Sequence, residues 1–196
     1  MSVFEITVLG SSSATPAYNR NPSAQIINLN DHFYLVDCGE ATQNQLNKFK
    51  IKSAKIDTIF ISHLHGDHFY GLIGLISTFM LLNRENDLHI YGPVGIKEII
   101  LMQLRASGSY TGYNLFFHEL VSLESEVIYE DDTVVVKTIP LNHRVYTNGF
   151  LFQEKVGKRH LNSEAVAKYK IEKVYFDKIK SGGSVTLDSG EVIENN

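Results

Sequence analysis

The sequence of 196 residues lacks several features that would each place it in a particular class of protein. It has one cysteine, Cys38, so no disulfide can form within the chain, which fits a reducing compartment. Its longest apolar run, near residues 79–82, is far too short to span a bilayer. The first ten residues contain neither a basic segment nor a long apolar segment, so we expect no signal peptide. These absences favour a cytoplasmic protein that does not enter membranes.

The charge distribution is uneven, although the composition is that of an ordinary globular protein, with 43% hydrophobic and 20% charged residues. The net charge is −4, but the segment 155–180 has eight Lys or Arg residues against three acidic ones. A basic segment on an acidic body suggests contact with a polyanion, and a charged helix that faces solvent is the alternative.

The order of the predicted elements indicates an α/β or mixed layered fold. Strands and helices alternate in the first half of the chain, and short antiparallel strands follow in the middle. The sequence has no internal repeat, and its length suits one domain over residues 1–196.

A cluster of possible metal ligands lies in "ISHLHGDHFYGL", residues 61–72, directly after a predicted buried strand. Imidazole nitrogens and carboxylate oxygens suit zinc, and the lack of nearby thiolates favours an open, catalytic type of site. His63 and His65 are two residues apart and should project to one side of an extended strand end. We expect Gly66 to adopt a positive φ and turn the chain, so that Asp67 and His68 form a second pair. One loop could then serve two adjacent metal ions, which together can hold the oxygens of a phosphodiester.

Two further residues have competing interpretations. Asp37 ends a predicted strand, where it could accept a hydrogen bond from a metal-bound histidine or cap the helix that follows. His143 follows the predicted strand in "VVVKTIPLNH", which is a plausible position for another ligand. We expect four other histidines to be ordinary core or surface residues: His32, His89, His118 and His160.

Several motifs occur in the order found in one known family. The segment "HLHGDHFYGLIGL" resembles the signature of the metallo-β-lactamase fold, and its details resemble ribonuclease Z, the endonuclease that trims the 3′ trailer from precursor tRNA. The segments "LGSSSATPAYNRNPSAQII", "YLVDCGEATQNQL", "IYGPVG" and "PLNHRVYTNGFLFQEK" are similar to other landmarks of that family. The resemblance implies an αββα sandwich, incomplete at its C-terminal side.

The resemblance also implies roles for individual residues. His63, His65 and His143 would bind one zinc ion, and Asp67 and His68 would bind a second, with Asp67 as proton acceptor for the attacking water. A hydroxide activated by the metal would attack phosphorus and leave a 3′-hydroxyl on the tRNA. The family further implies a homodimer in which an arm of one subunit holds tRNA for the active site of the other.

The sequence resembles about the first two thirds of a ribonuclease Z. Family members supply a bridging aspartate and a last histidine in their final third, so we expect this chain to bind at most one zinc ion firmly and to be inactive on precursor tRNA. The basic segment, residues 155–180, occupies the place of the substrate arm, and we expect RNA contacts from Lys158, Arg159, Lys168, Lys170 and Lys173. Another phosphodiesterase of this fold, or a non-catalytic fragment that binds RNA or a partner, is the alternative.

Overall fold

A computed structural model describes residues 3–15, 17–155, 157, 159–187 and 190–194. The chain divides into two compact units, Met1–Glu154 and Lys155–Asn196, and each is described by itself.

The larger unit is built on a six-stranded sheet whose strands follow the order of the chain. Its strands are β1 (Phe4–Gly10), β2 (Ala24–Leu29), β3 (His32–Val36), β4 (Ile56–Phe60), β5 (Leu88–Pro93) and β6 (Leu115–Leu120). The pairs from β1 to β3 are antiparallel, and those from β3 to β6 are parallel. Asn30 and Asp31 connect β2 to β3 with φ values of 53° and 72°, which is the backbone that a two-residue hairpin turn requires.

Helices connect the parallel strands, because strands that run the same way need a crossover between them. The helices of this unit are α1 (Thr42–Lys48), the single turn α2 (Gly66–Phe69), α3 (Leu72–Leu81) and α4 (Ile96–Ala106). In α4 the buried residues Ile96, Ile100 and Leu104 recur every four positions and form one apolar stripe. All three longer helices contribute to one apolar cluster with the six-stranded sheet.

A smaller antiparallel sheet packs against the other face. It consists of β7 (Val127–Glu130), β8 (Val134–Pro140) and β9 (Asn148–Glu154). Along β8, Val134, Val136 and Thr138 are buried, as expected for alternate residues that face a second sheet. Aromatic rings fill the space between the sheets, and those of Phe60 and Phe150 lie 5.2 Å apart.

The layers of this unit are therefore helix, sheet and sheet, which confirms the predicted mixed α/β fold. The second helix layer of an αββα sandwich is not found among the described residues of this unit. No helix in the described part of the chain has the length and apolar character needed to cross a membrane.

The smaller unit contains α5 (Ser163–Lys168), α6 (Phe176–Lys180) and a hairpin of β10 (Val185–Thr186) and β11 (Val192–Ile193). The Asn162 side chain caps α5 by accepting hydrogen bonds from the backbone N–H groups of Glu164 and Ala165. The unit begins where the predicted basic segment begins, and the role of that segment as a substrate arm stays a prediction.

Candidate metal centre

The predicted ligands lie at the carboxyl edge of the parallel strands, where loops from neighbouring strands meet. After β4, the Ile61 N–H donates to the Tyr91 carbonyl at 2.7 Å and the Ser62 N–H donates to Asp37 Oδ1 at 2.8 Å. These bonds keep the chain extended as far as His63. Asp37 follows β3 with a φ of 58°, a conformation that aspartate tolerates better than most residues do.

Three imidazoles converge at this edge. His65 Nδ1 lies 3.0 Å from His63 Nε2 and 3.4 Å from His143 Nε2, and the ligand atoms of the three residues all lie within 4.8 Å of one another. Tetrahedral zinc ligands at about 2.0–2.1 Å from the metal are roughly 3.3–3.4 Å apart. We call these residues the three-histidine corner, and its nitrogens fit a zinc ion.

The protonation of this corner also suits a metal. Burial, together with the neighbouring His68 and His65, lowers the pKa of His63 to about 4. Desolvation, Arg144 and His143 lower the pKa of His65 as well. Both rings are therefore neutral near pH 7, the form in which imidazole binds metals.

Asp67 and His68 form a different arrangement together with Asp37, which we call the Asp37 corner. His68 Nδ1 lies 2.6 Å from Asp37 Oδ2, and His68 Nε2 lies 3.6 Å from Asp67 Oδ2. Burial by itself lowers the pKa of His68, but the hydrogen bond and charge of Asp37 outweigh burial, so the pKa is raised. Asp37 does not cap α1, whose N-cap residue is Ala41 without a side-chain bond. Of the two interpretations of Asp37, the geometry supports contact with the histidine.

The prediction that Gly66 adopts a positive φ was wrong. Gly66 begins α2 and is not among the glycines with positive φ. A Cβ at this position would lie 2.1 Å from the Tyr70 ring, so a side chain here would require that exposed ring to move. The single turn α2 brings Asp67 and His68 round to the site.

Sequence reasoning missed three polar residues around the cluster. Ser62 Oγ lies 3.0 Å from His63 Nδ1 and 3.2 Å from His68 Nδ1, so it links the two corners. Arg144 donates from Nε towards His65 Nε2 at 3.3 Å. Asn148 is 1% exposed, and neither polar atom of its side chain has a partner among the described residues. Only the adjacency of Ser62 and Arg144 to ligands could have signalled them, and nothing in the sequence marks Asn148.

The other predicted positions lie apart from this centre or outside the described residues. Four of the basic residues are exposed in the smaller unit: Arg159, Lys168, Lys170 and Lys173. Lys158 lies outside the described residues. His32 is exposed on β3, and His89 Nδ1 lies 3.0 Å from His118 Nε2, away from the three-histidine corner.

This chain is similar to several known proteins. Residues 4–170 match the family model described as Anti-Pycsar protein Apyc1. A protein of Bacteroides fragilis named ribonuclease Z is 42% identical over 195 residues, which are 100% of this chain and 64% of that protein. The crystal structure of human tRNase Z, short form (ELAC1), has a TM-score of 0.71 and 30% identity over 91% of this chain and 83% of that chain.

A more distant structure bears on the fold alone. The metallo-β-lactamase fold protein YhfI from Bacillus subtilis has a TM-score of 0.59 and 22% identity, and the match covers 76% of this chain and 58% of that chain. The predicted metallo-β-lactamase fold is thus confirmed. The chain spans slightly less than two thirds of the length of the curated relatives that it matches.

Proposed function

We propose that this chain, which belongs to the ribonuclease Z family, forms the zinc-binding part of an endonuclease that removes the 3′ trailer from precursor tRNA. The observation that carries the proposal is the three-histidine corner, in which three imidazole nitrogens lie within 4.8 Å of one another at the edge of the sheet. Zinc, when bound, lowers the pKa of water and stabilises negative charge that develops on phosphate oxygens.

Different residues of this site have different proposed roles. His63, His65 and His143 would hold the first zinc ion, and Asp67 would accept a proton from the attacking water. Asp37 accepts a hydrogen bond from His68 at 2.6 Å and fixes the orientation of that ring.

The second zinc position has two ligands in this chain, Asp67 and His68. Two ligands hold zinc weakly compared with three or four. We therefore expect at most one firmly bound zinc ion per chain and no cleavage of precursor tRNA by the 196-residue chain alone.

The substrate side of the proposal rests on charge. Arg159, Lys168, Lys170 and Lys173 are exposed, so their side chains can reach phosphates of the tRNA. Lys158 completes the proposed contact set. We place the activity in the cytoplasm, with a homodimer in which the basic segment of one subunit serves the other.

The test uses a chimera of this chain with the part of the Bacteroides fragilis ribonuclease Z that lies outside the match. Asp67→Ala should reduce cleavage of precursor tRNA by about 10²–10⁴-fold, because it removes the proton acceptor. His32→Ala, an exposed histidine away from the cluster, is the control. Near-normal turnover of the Asp67 variant with its metal content intact would refute the role of Asp67.

Substrate preference separates the proposal from the alternative of another phosphodiesterase. The family model that matches residues 4–170, Anti-Pycsar protein Apyc1, is not a ribonuclease Z model, and this observation favours the other phosphodiesterase as the second candidate. Neutralising the five basic residues should flatten the salt dependence of tRNA binding by about 0.7–0.9 in log–log slope per lost phosphate contact. Hydrolysis of a small chromogenic phosphodiester should be unchanged. If a small phosphodiester is the better substrate, or if both activities fall together, the tRNA proposal fails.

A further inference from the structure

Two histidines meet at the edge of the larger sheet that β6 forms, on the face of that sheet where Tyr91 is buried. His89 of β5 and His118 of β6 are 29 residues apart in the chain, and His89 Nδ1 lies 3.0 Å from His118 Nε2. In the parallel pairing of these strands His89 lies opposite Phe116 and Tyr91 lies opposite His118, so the four side chains project from the same face. Both imidazoles are partly exposed, and we call them the His89–His118 pair.

Aromatic rings hold both imidazoles of the pair in place. His118 stacks on Tyr91 with the ring centroids 4.1 Å apart and an angle of 9° between the ring planes, and His89 stacks on Phe116 at 4.9 Å and 13°. Tyr91 is 7% exposed, so the ring beneath His118 is itself fixed by packing. The two ring nitrogens therefore face each other before any ligand binds, and a site that is fixed in advance binds with a smaller loss of entropy.

The contact between the two nitrogens restricts what can lie between them. Two imidazole nitrogens that both present lone pairs repel each other, so at 3.0 Å either one of them carries a hydrogen or both face a cation. Burial and the neighbouring His89 lower the pKa of His118, so that ring is neutral near pH 7. A neutral imidazole is the form that binds metal ions.

The pair lines a pocket of about 400 Å³ that has acidic side chains in its wall. Asp57 and Asp87 line this pocket and are exposed. Asp57 Oδ1 accepts a hydrogen bond from the Thr58 hydroxyl at 2.9 Å, and Asp87 Oδ1 accepts one from the Asn114 amide at 2.8 Å. Negative charge beside two imidazole nitrogens raises the local concentration of cations.

We infer that the His89–His118 pair is a further metal site, which binds one divalent transition-metal ion between its two imidazole nitrogens. Imidazole suits zinc, copper and nickel among the metals of proteins. Among the described residues, no third His, Cys, Asp or Glu atom lies close enough to form a group like the three-histidine corner. Water therefore fills the other coordination positions, and Asp57 and Asp87 accept hydrogen bonds from that water.

An ion held by the pair would join β5 to β6, which is an edge strand of the larger sheet. The two nitrogens come together only when these strands are paired, so the ion stabilises the folded chain by mass action. Two protein ligands hold zinc more weakly than three do, so this ion should be removed by dialysis, unlike the ion of the three-histidine corner. The inference is independent of the cleavage of tRNA.

The experiment titrates the 196-residue chain with zinc and follows the histidine ring signals by NMR. The first equivalent should shift the signals of the three-histidine corner. Further zinc should then shift the signals of His89 and His118 together, along one saturation curve. His32, which is exposed on β3, is the internal control for unspecific binding and should not respond at the same zinc concentrations.

His118→Phe tests the pair while it retains a ring that can stack on Tyr91. The change removes one of two ligands, so zinc affinity at His89 should fall by more than about tenfold, at least the loss seen for residues behind the ligands. His32→Phe is the matched control and should leave the saturation curve of His89 unchanged. Excess zinc should raise the unfolding temperature of His32→Phe by more than that of His118→Phe, because only the former retains the site.

The wild-type titration decides the inference even if His118→Phe does not fold. Ring signals of His89 and His118 that stay in place throughout an excess of zinc would show that a hydrogen bond alone joins the two rings. A response of His32 at the same zinc concentrations would show unspecific binding. Unchanged affinity at His89 in His118→Phe would show that the two rings do not share an ion. Each of these results would overturn the inference.

Discussion

The three-histidine corner and the Asp37 corner come from the same short loop, yet their electrostatics are opposite. In the first, nitrogens of His63, His65 and His143 face one another, and the pKa of His63 is lowered to about 4. In the second, His68 contacts Asp37 at 2.6 Å and its pKa is raised.

The difference shows that one loop can contribute to two metal positions with different numbers of ligands, three at the first and two at the second. Three neutral imidazole nitrogens that face one another form a site for a cation. His68 contacts Asp37 through Nδ1 and keeps Nε2 for a metal, so the carboxylate orients the ring without occupying that ligand atom. The first corner should therefore bind zinc in this chain, and the second, which has two ligands for a metal, should mainly stabilise the fold.

The largest expected effect is the loss of zinc affinity when a ligand of the three-histidine corner is removed. His143→Ala removes one of three ligands, so zinc affinity should fall by more than about 100-fold, beyond the range seen for residues behind the ligands. Metal analysis after dialysis should change from about one zinc ion per chain to nearly none. His68→Ala is the matched control and should keep the ion. If the His68 variant loses zinc and the His143 variant keeps it, the assignment of the two corners is reversed.

The next largest effect is a loss of stability when the carboxylate of the Asp37 corner is removed. Asp37→Ala should lower the free energy of unfolding by about 2–3 kcal/mol, because His68 and the Ser62 N–H lose a buried acceptor and alanine is strained at a φ of 58°. Asp37→Asn tolerates the same φ and should cost less. Denaturant titration of the metal-free variants measures both values. Equal stability of all three proteins would show that the corner contributes nothing to the fold.

The pH dependence of the second corner has a defined sign. Because the folded pKa of His68 is raised above its ordinary value of 6.5, its contribution is fully present below that value. The contribution is lost as the pH rises through the raised pKa. The stability difference between the wild-type chain and Asp37→Asn should therefore be larger at about pH 6 than at about pH 8.5 in the metal-free protein. A difference that grows with pH would contradict the ion pair.

A smaller effect on zinc affinity is expected from Ser62, whose hydroxyl contacts a histidine of each corner. Ser62→Ala removes the hydroxyl beside His63 Nδ1 and His68 Nδ1, at 3.0 and 3.2 Å. Without that partner the His63 ring is held less firmly, and zinc affinity should fall by about tenfold. Ser77→Ala is the control, since the Ser77 hydroxyl donates within α3 to the Ile73 carbonyl, away from the histidines. Unchanged affinity in Ser62→Ala would mean that packing alone orients His63.

The smallest effect concerns the solvent side of the first corner. Desolvation lowers the pKa of His65, and Arg144 and His143 lower it further. Arg144→Gln should raise that pKa towards its ordinary value, whereas Arg144→Lys should keep most of the shift. NMR titration of the His65 ring in metal-free protein measures the change. A pKa that falls in Arg144→Gln would show that the arginine does not act through its charge.

Much of the fold could be predicted from the sequence, because its signals are local. The alternation in β8 and the apolar spacing in α4 each appear as a periodic pattern within a few residues along the chain. The Asn30-Asp31 turn has the positive φ values that its residue types favour. The reason given for Gly66 failed because the chain turns here through the helical turn α2, in which Gly66 has no positive φ.

The cluster "HLHGDH" determined by itself that this loop has the ligand types of a zinc site, since the donor atoms of a residue are independent of its neighbours. Tertiary structure decided which nitrogens meet. His143 reaches His65, 78 residues away in the chain, only because β8 ends at the same edge as β4. It also decided that Asp37 contacts His68 and not α1, and that His89 meets His118. Such facts depend on the relative placement of strands that are distant in the chain, and a local pattern of residues carries no information about that placement.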